Sequence, residues 1–472
     1  MSEHVCSGSH AELIVHSIDW LITVDGTRRI IRDAAVAVVG GRFAAIGKTE
    51  RILAEWHADR VVSGKGKVAT PGFVDNHLHA SFQLSRGLAD EANAQQFLFD
   101  HMYPYEGAMS GEDVYVSSSL AAMELLRHGV TCFIDPGNYH PDATVEAVAA
   151  SGMRMVVSRS TFDRTKSVMG MLPESMIEST GQALEATEAL LERYGNAHDG
   201  RVRAAACFRG LNNSSDELIT GLKTLADKYQ TSVQTHACFN HSTHDGCLAA
   251  FGKPEIERLD SLGVLDERTL LVHGGWLEPH EVALIAKRKP TVVAAPSSSM
   301  HNGYGNFVMG KIPELLALGV NVSIGSDHAS SGIVDMVQEM RLLAGGYKEV
   351  RINPRVMPPE TVVEMATLNG AAGAGLAHEI GSVEIGKQAD LVLWDTRVPE
   401  WQPLFNPVSN LVYSATGNSV AHVFVAGRQV VADGHLTLVD EDLVFREVEK
   451  TAGRIANRLD LSRLVKLRWP VE

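Results

Sequence analysis

Two histidines one residue apart close an apolar run at Pro71-Gly72-Phe73-Val74-Asp75-Asn76-His77-Leu78-His79. On a β-strand, side chains two positions apart point to the same side. His77 and His79 can therefore offer two imidazoles to one point, as a divalent cation requires. In a chain with 20 histidines such a pair also arises by chance. It gains meaning when other strands deliver ligands to the same place. Three further strand-like runs end in metal-competent residues, at His236, His273 and Asp327. If these runs are parallel strands of one barrel, all five residues lie at corresponding strand ends on one face. That convergence predicts a metal centre.

The elements that would position them follow from the pattern. Apolar runs at 73–76, 131–134, 153–158, 202–207, 232–235, 269–272, 292–295 and 320–324 alternate with helical stretches. The stretch 113–128 stops at Gly129, a C-cap glycine, and 216–229, 279–287 and 312–318 also have helical spacing. Eight alternations predict a (β/α)₈ TIM-type barrel over residues 71–380. Short strands broken by turns precede it at 11–70 and follow it at 381–436, including a turn–strand–turn–strand run over 381–395. They are expected to join in one small composite β-sandwich. Residues 437–472 form a C-terminal extension, helical over 440–459.

Composition sets the outer limits. Lys plus Arg is 42 and Asp plus Glu is 57, a net charge of −15, which argues against a nucleic-acid or anionic-membrane surface. The partner expected is a small-molecule substrate. The five cysteines, Cys6, Cys132, Cys207, Cys238 and Cys247, include no Cys-x-x-Cys pair and read as reduced thiols of a cytoplasmic protein. No apolar run has the length of a transmembrane helix. Residues 1–10 lack the basic and apolar regions of a signal peptide.

The chain resembles the amidohydrolase superfamily, in particular its cytosine deaminase and triazine hydrolase-like branch. The resemblance rests on the run from Pro71 to His79 with Arg86-Gly87-Leu88, on Leu271-Val272-His273-Gly274, and on Gly325-Ser326-Asp327-His328-Ala329-Ser330-Ser331. It extends to Met365-Ala366-Thr367-Leu368-Asn369-Gly370-Ala371 and to 381–395. It implies that His77, His79, His236 and Asp327 hold one divalent ion (zinc, cobalt, iron(II) or manganese), with His273 beside the reacting group. It also implies a homo-oligomer, by analogy. The binuclear branches use a fourth-strand lysine; 202–210 has none, which favours one metal.

The resemblance also exposes a departure. Deaminases of this branch carry a glutamate three residues after the fifth-strand histidine, and here that residue is Phe239. Without a carboxylate to protonate a ring nitrogen, the expected reaction is hydrolysis of a urea, carbamate, thiocarbamate or amide. This points toward the phenylurea and molinate hydrolase subgroup and a xenobiotic substrate. The alternatives are a deaminase or chlorohydrolase of a nitrogen heterocycle, and a non-catalytic binding homologue. Asp327 and His273 are the expected catalytic residues. Phe99, Tyr103, Phe239, Trp276 and His301 are the expected substrate contacts, with His241, His244, His301 and His328 as further proton-carrying candidates.

Overall fold

The computed structural model describes residues 8–167, 169–460, 465 and 467–471; Cys6 lies outside them. Both chain ends build one nine-stranded sheet. Its N-terminal strands are Ser9–Ile22, Ile30–Val39, Arg42–Lys48, Trp56–Ser63 and Lys67–Pro71. Its C-terminal strands are Leu391–Asp395, Val420–Val425, Arg428–Ala432 and His435–Leu436. The seam is the antiparallel pairing of Lys67–Pro71 with Leu391–Asp395, where the Trp394 indole donates to Thr70 Oγ1 at 3.0 Å. Two local expectations are corrected. The first half of 381–395 is a loop, not a strand: Val383 N bonds Thr23 O and Gly386 N bonds Phe43 O, so it docks on N-terminal strands instead of pairing as a strand. Trp56–Ser63 is a strand that alternation does not reveal, because none of its residues is buried and the exposed Val61 next to Val62 breaks the pattern.

Within this frame run eight parallel strands, each placed close to where the apolar runs predict. They are β1 (Phe73–Asp75), β2 (Val130–Ile134), β3 (Arg154–Val157), β4 (Val202–Ala204 continued as Ala206–Gly210), β5 (Val233–Ala237), β6 (Thr269–His273), β7 (Thr291–Ala294) and β8 (Val322–Ile324). Every residue of β1, β2, β3, β6, β7 and β8 is buried. This is why they read as continuous apolar runs. Strand β4 breaks at Ala205. Its first part pairs with β3 and its second with β5, while Ala205 N reaches Val157 O and Ala206 N reaches Ser232 O. The barrel closes between β1 and β8, where Asn76 N donates to Ile324 O at 2.9 Å.

The helices follow local chemistry. Gly111–Arg127 starts at Ser110, whose hydroxyl accepts from Asp113 N in a reciprocal capping box, and the chain leaves it at Gly129 with φ +81°. The C-terminal helix Glu441–Arg458 packs on it, with Arg458 Nη1 2.8 Å from Asp113 Oδ2. Barrel and sheet are tied by a buried ion pair: Arg154 of β3 meets Asp390 through Nη2–Oδ1 at 3.1 Å and Nε–Oδ2 at 3.2 Å. Over the mouth of the barrel folds the aromatic segment Gln96–Met102 and the short helix Tyr103–Gly107. No helix among the described residues is long and apolar enough to cross a membrane.

Candidate active site

Strand ends β1 and β8 are locked to each other by backbone bonds through the site residues themselves. His79 N donates to Asp327 O and Asp327 N to His77 O, both at 2.8 Å. Asp75 reinforces the junction, accepting from His77 N and Ser326 N at 3.1 Å and from the Ser326 hydroxyl at 2.5 Å. Burial pushes its carboxyl up to about 6. A Cβ on Gly325 would lie 2.7 Å from the His77 Cβ, so only glycine lets β8 approach this closely. Both Asp327 (φ +67°) and His273 (φ +82°) hold left-handed backbone, a strained conformation that clusters at functional sites.

The result is a compact donor cluster. Ligand atoms of His77, His79, His236 and Asp327 all lie within 4.8 Å of one another. His77 Nε2 is 3.3 Å and His79 Nε2 3.7 Å from Asp327 Oδ1, and His79 Nε2 is 3.2 Å from His236 Nε2. His236 Nδ1 stands 2.7 Å from the Arg209 carbonyl, so it must carry the proton there, and its Nε2 points a lone pair into the cluster. Among the described residues, buried His77 Nδ1 meets no hydrogen-bond partner, while its Nε2 faces Asp327. Burial, then the Arg209 guanidinium and the neighbouring imidazoles, holds His79 far below the ordinary imidazole range. Burial, then the imidazoles of His77 and His273, does the same for His236. Burial works to raise the Asp327 carboxyl, but His328, His77 and His273 around it hold it well below the carboxylate range. Three imidazoles and one carboxylate whose ligand atoms converge within 4.8 Å form a set that fits a borderline divalent cation.

Two more imidazoles border the same carboxylate. His273 Nε2 is 3.8 Å and His328 Nε2 3.7 Å from Asp327 Oδ2. Burial brings His273 down to about 4. The cavity above the cluster offers about 680 Å³ to its open mouth, and His79, His236, His273 and Asp327 lie in its wall. Phe99, Tyr103 and Phe239 also line it. Phe239 packs on His273 and Tyr304, with ring centroids 5.5 and 5.4 Å apart. It is an apolar wall.

Trp276 and His301 do not join this wall. The chain turns at Gly274 (φ +56°), and Gly275 N and Trp276 N both bond Cys238 O. This sends the Trp276 indole outward to donate to Tyr304 O at 2.8 Å. His301 ends the helix Pro296–His301 and faces Asp90 at 3.4 Å. Of the other histidines considered, His241 is exposed beside Asp245 and His244 faces Glu281 at 3.9 Å; His328 alone of the four reaches the cavity. The sequence reading missed Arg209, Tyr304 and Glu255, which line it. Arg209 stands at the end of β4, and that position was itself a signal. Glu255 accepts from Cys238 N at 2.6 Å, and burial pushes its carboxyl up to about 7.

A parallel eight-stranded barrel with a His₃Asp cluster at its strand ends defines a metal-dependent hydrolase. The sequence matches the amidohydrolase family over residues 68–430, and the chain belongs to that family. It is 32% identical over 448 residues, 95% of this chain and 99% of the relative, to the 5-methylthioadenosine/S-adenosylhomocysteine deaminase of Syntrophobacter fumaroxidans. It is 34% identical over 426 residues, 90% of this chain and 95% of the relative, to the 5'-deoxyadenosine deaminase of Methanothermobacter thermautotrophicus. Its fold superimposes on a zinc-bound adenosine deaminase from Xanthomonas campestris with a TM-score of 0.87 and 27% identity, covering 95% of this chain and 100% of that one. These likenesses overturn the expected urea, carbamate or thiocarbamate hydrolysis. The loss of the fifth-strand carboxylate at Phe239 was read as loss of ring deamination, yet the full-length relatives are deaminases of adenosine-type compounds.

Proposed function

We propose that this protein is a metal-dependent aminohydrolase that replaces the exocyclic amino group of an adenosine-type nucleoside with oxygen. The observation that carries this is the likeness, over nine-tenths or more of the chain, to deaminases of 5-methylthioadenosine, S-adenosylhomocysteine and 5'-deoxyadenosine. The aromatic cavity supports it, since a flat purine fits between rings such as Phe99, Tyr103 and Phe239. In this reading residues 71–380 carry the chemistry, while 11–70 with 381–436 form the flanking sheet domain and 437–472 the C-terminal extension.

His77, His79, His236 and Asp327 would hold one divalent ion. Bound there, such an ion supplies Lewis acidity and brings the pKa of a water molecule toward neutrality. The rest is done by side chains. Asp327 takes up the water's proton on Oδ2, the oxygen that faces His273 and His328. His273, neutral when empty, receives it and passes it to the departing amine, which leaves as ammonia. His328 is held in place by Ser330 Oγ, 2.8 Å from its Nδ1, and Ser298 Oγ, 3.3 Å from its Nε2. Phe239 and the aromatic segment over the barrel mouth exclude competing water.

The test is a panel of 5'-methylthioadenosine, S-adenosylhomocysteine, 5'-deoxyadenosine, adenosine, cytosine and guanine, assayed for ammonia with the zinc-loaded protein. Turnover of the adenosine-type members, with kcat/KM at least about a hundredfold above cytosine and guanine, is expected. Ammonia from cytosine or guanine alone would replace the reading.

A further inference from the structure

Among the cavity-lining side chains one is a buried, permanent cation. The Arg209 side chain is 2% exposed and its counter-ion Glu106 1%. The pairing uses a single nitrogen: Nη1 donates to Glu106 Oε2 at 2.6 Å and to Ser160 Oγ at 3.1 Å. Among the described residues, the hydrogens on Nε and Nη2 meet no acceptor. Arg209 lines the cavity, so donors that the protein leaves free there are available to a bound molecule. The guanidinium carbon also lies over two ring faces, 5.2 Å from the Phe82 centroid and 5.7 Å from that of Tyr103. Phe82, over which the guanidinium lies, stacks on His79 at 5.0 Å, the guanidinium charge acts on His79, and Arg209 lines the same cavity as His79 and His236, so the fork stands beside the donor cluster. Glu106 sits behind it, its second oxygen accepting from Ser81 Oγ at 3.3 Å.

Resting on the aminohydrolase reading above, we propose that Arg209 contacts the substrate, its free Nε–Nη2 fork holding the ring nitrogen on which negative charge collects when oxygen adds to the adjacent carbon. Phe239 provides no acid to protonate that nitrogen. A guanidinium never gives up its proton at physiological pH. It therefore stabilises the charge by preorganised hydrogen bonds in a water-poor site, with no proton transferred. Glu106 and Ser160 orient the fork, and the Glu106 charge balances the resting cation. The substrate favoured is thus a neutral heterocycle with a ring nitrogen next to the reacting carbon.

The decisive variant is Arg209→Lys in the zinc-loaded full-length enzyme. Lysine keeps a charge for Glu106 but has no planar fork. The expected result is unchanged zinc content and folding, kcat lowered about 10²- to 10³-fold, and KM changed less than about tenfold, the pattern of a lost charge-stabilising donor. A double variant, Arg209→Ala with Glu106→Gln, removes the pair without leaving a buried charge, and added methylguanidinium is expected to restore at least about tenfold of its lost kcat. Full activity in Arg209→Lys, or a loss in the double variant that methylguanidinium does not rescue, overturns the proposal and leaves Arg209 as a structural brace. A readout independent of the reaction is formate binding to the metal-free protein by ¹³C NMR, since a free fork takes a carboxylate in bidentate fashion. Wild type is expected to bind it at least about tenfold more tightly than Arg209→Lys. Equal binding overturns the proposal even if the panel above has already removed the nucleoside reading.

Discussion

Glu255→Gln should make the protein more stable in mild alkali and leave it unchanged in acid. The Glu255 carboxyl is 2% exposed, and its one hydrogen bond to the main chain comes from Cys238 N at 2.6 Å. The Glu281 carboxyl close by opposes its ionisation, the Cys238 main chain and thiol favour it, and the nearby Arg258 is committed to Asp216 at 2.6 Å. Burial, the largest cause, lifts the carboxyl from an ordinary 4.5 to about 7. Between those values the folded chain holds a proton that the unfolded chain releases. Stability contributed by this group is therefore full in acid and falls as pH rises toward 7. Above that, ionised Glu255 penalises the fold by about 3 kcal/mol. Glutamine keeps an oxygen for Cys238 N and never ionises. In urea unfolding at about pH 8.5 the variant should gain about 2–3 kcal/mol over wild type, and at about pH 4, below the ordinary carboxylate value, the two should agree within about 0.5 kcal/mol. The same difference at both pH values, or a less stable variant in alkali, would refute the argument.

Three further outcomes follow from the geometry. Arg154→Met strands the buried Asp390 carboxylate and should destabilise the protein by about 3–5 kcal/mol, while Arg154→Met with Asp390→Asn should recover part of that loss in the same urea assay. Asp327→Asn should keep the fold by circular dichroism yet lower kcat at least about 10³-fold, a barrier rise of about 4 kcal/mol; a fall of less than about tenfold would remove Asp327 as proton acceptor. Gly325→Ala forces a methyl to within 2.7 Å of the His77 Cβ and should weaken zinc affinity about 10- to 100-fold, measured by competition with a chromogenic chelator.

How much of this was legible in the sequence depended on distance along the chain. His77, His79, His236, His273 and Asp327 each end an apolar run, and strands buried on both faces write such runs plainly. The composite sheet was visible because turn and strand signals stand at both ends of the chain. Other features were set by contacts that no local pattern records. Arg209 is paired with Glu106, about a hundred positions earlier in the chain, and lies over the faces of Phe82 and Tyr103. Trp276 follows His273 closely, yet a glycine turn bonded to Cys238 O carries it away from the cavity. Strand Trp56–Ser63 has no buried residue, and Val61 next to Val62 breaks the pattern, so it has no apolar alternation to read. Phe239 misled for a related reason. One missing carboxylate suggests a change of reaction, whereas the likeness over nine-tenths of the chain is to deaminases, so one position of a motif does not decide the chemistry.

The central claim is that the four donors hold a metal on which deamination of an adenosine-type nucleoside depends. It is tested most directly by following ammonia release from 5'-methylthioadenosine with protein stripped by a chelator and then titrated with zinc. The account predicts no release from the stripped protein, recovery that saturates at about one equivalent of zinc, and a product with oxygen in place of the amino group. Equal release from stripped and reloaded protein would contradict it, and so would a fully loaded protein that releases no ammonia from any adenosine-type nucleoside.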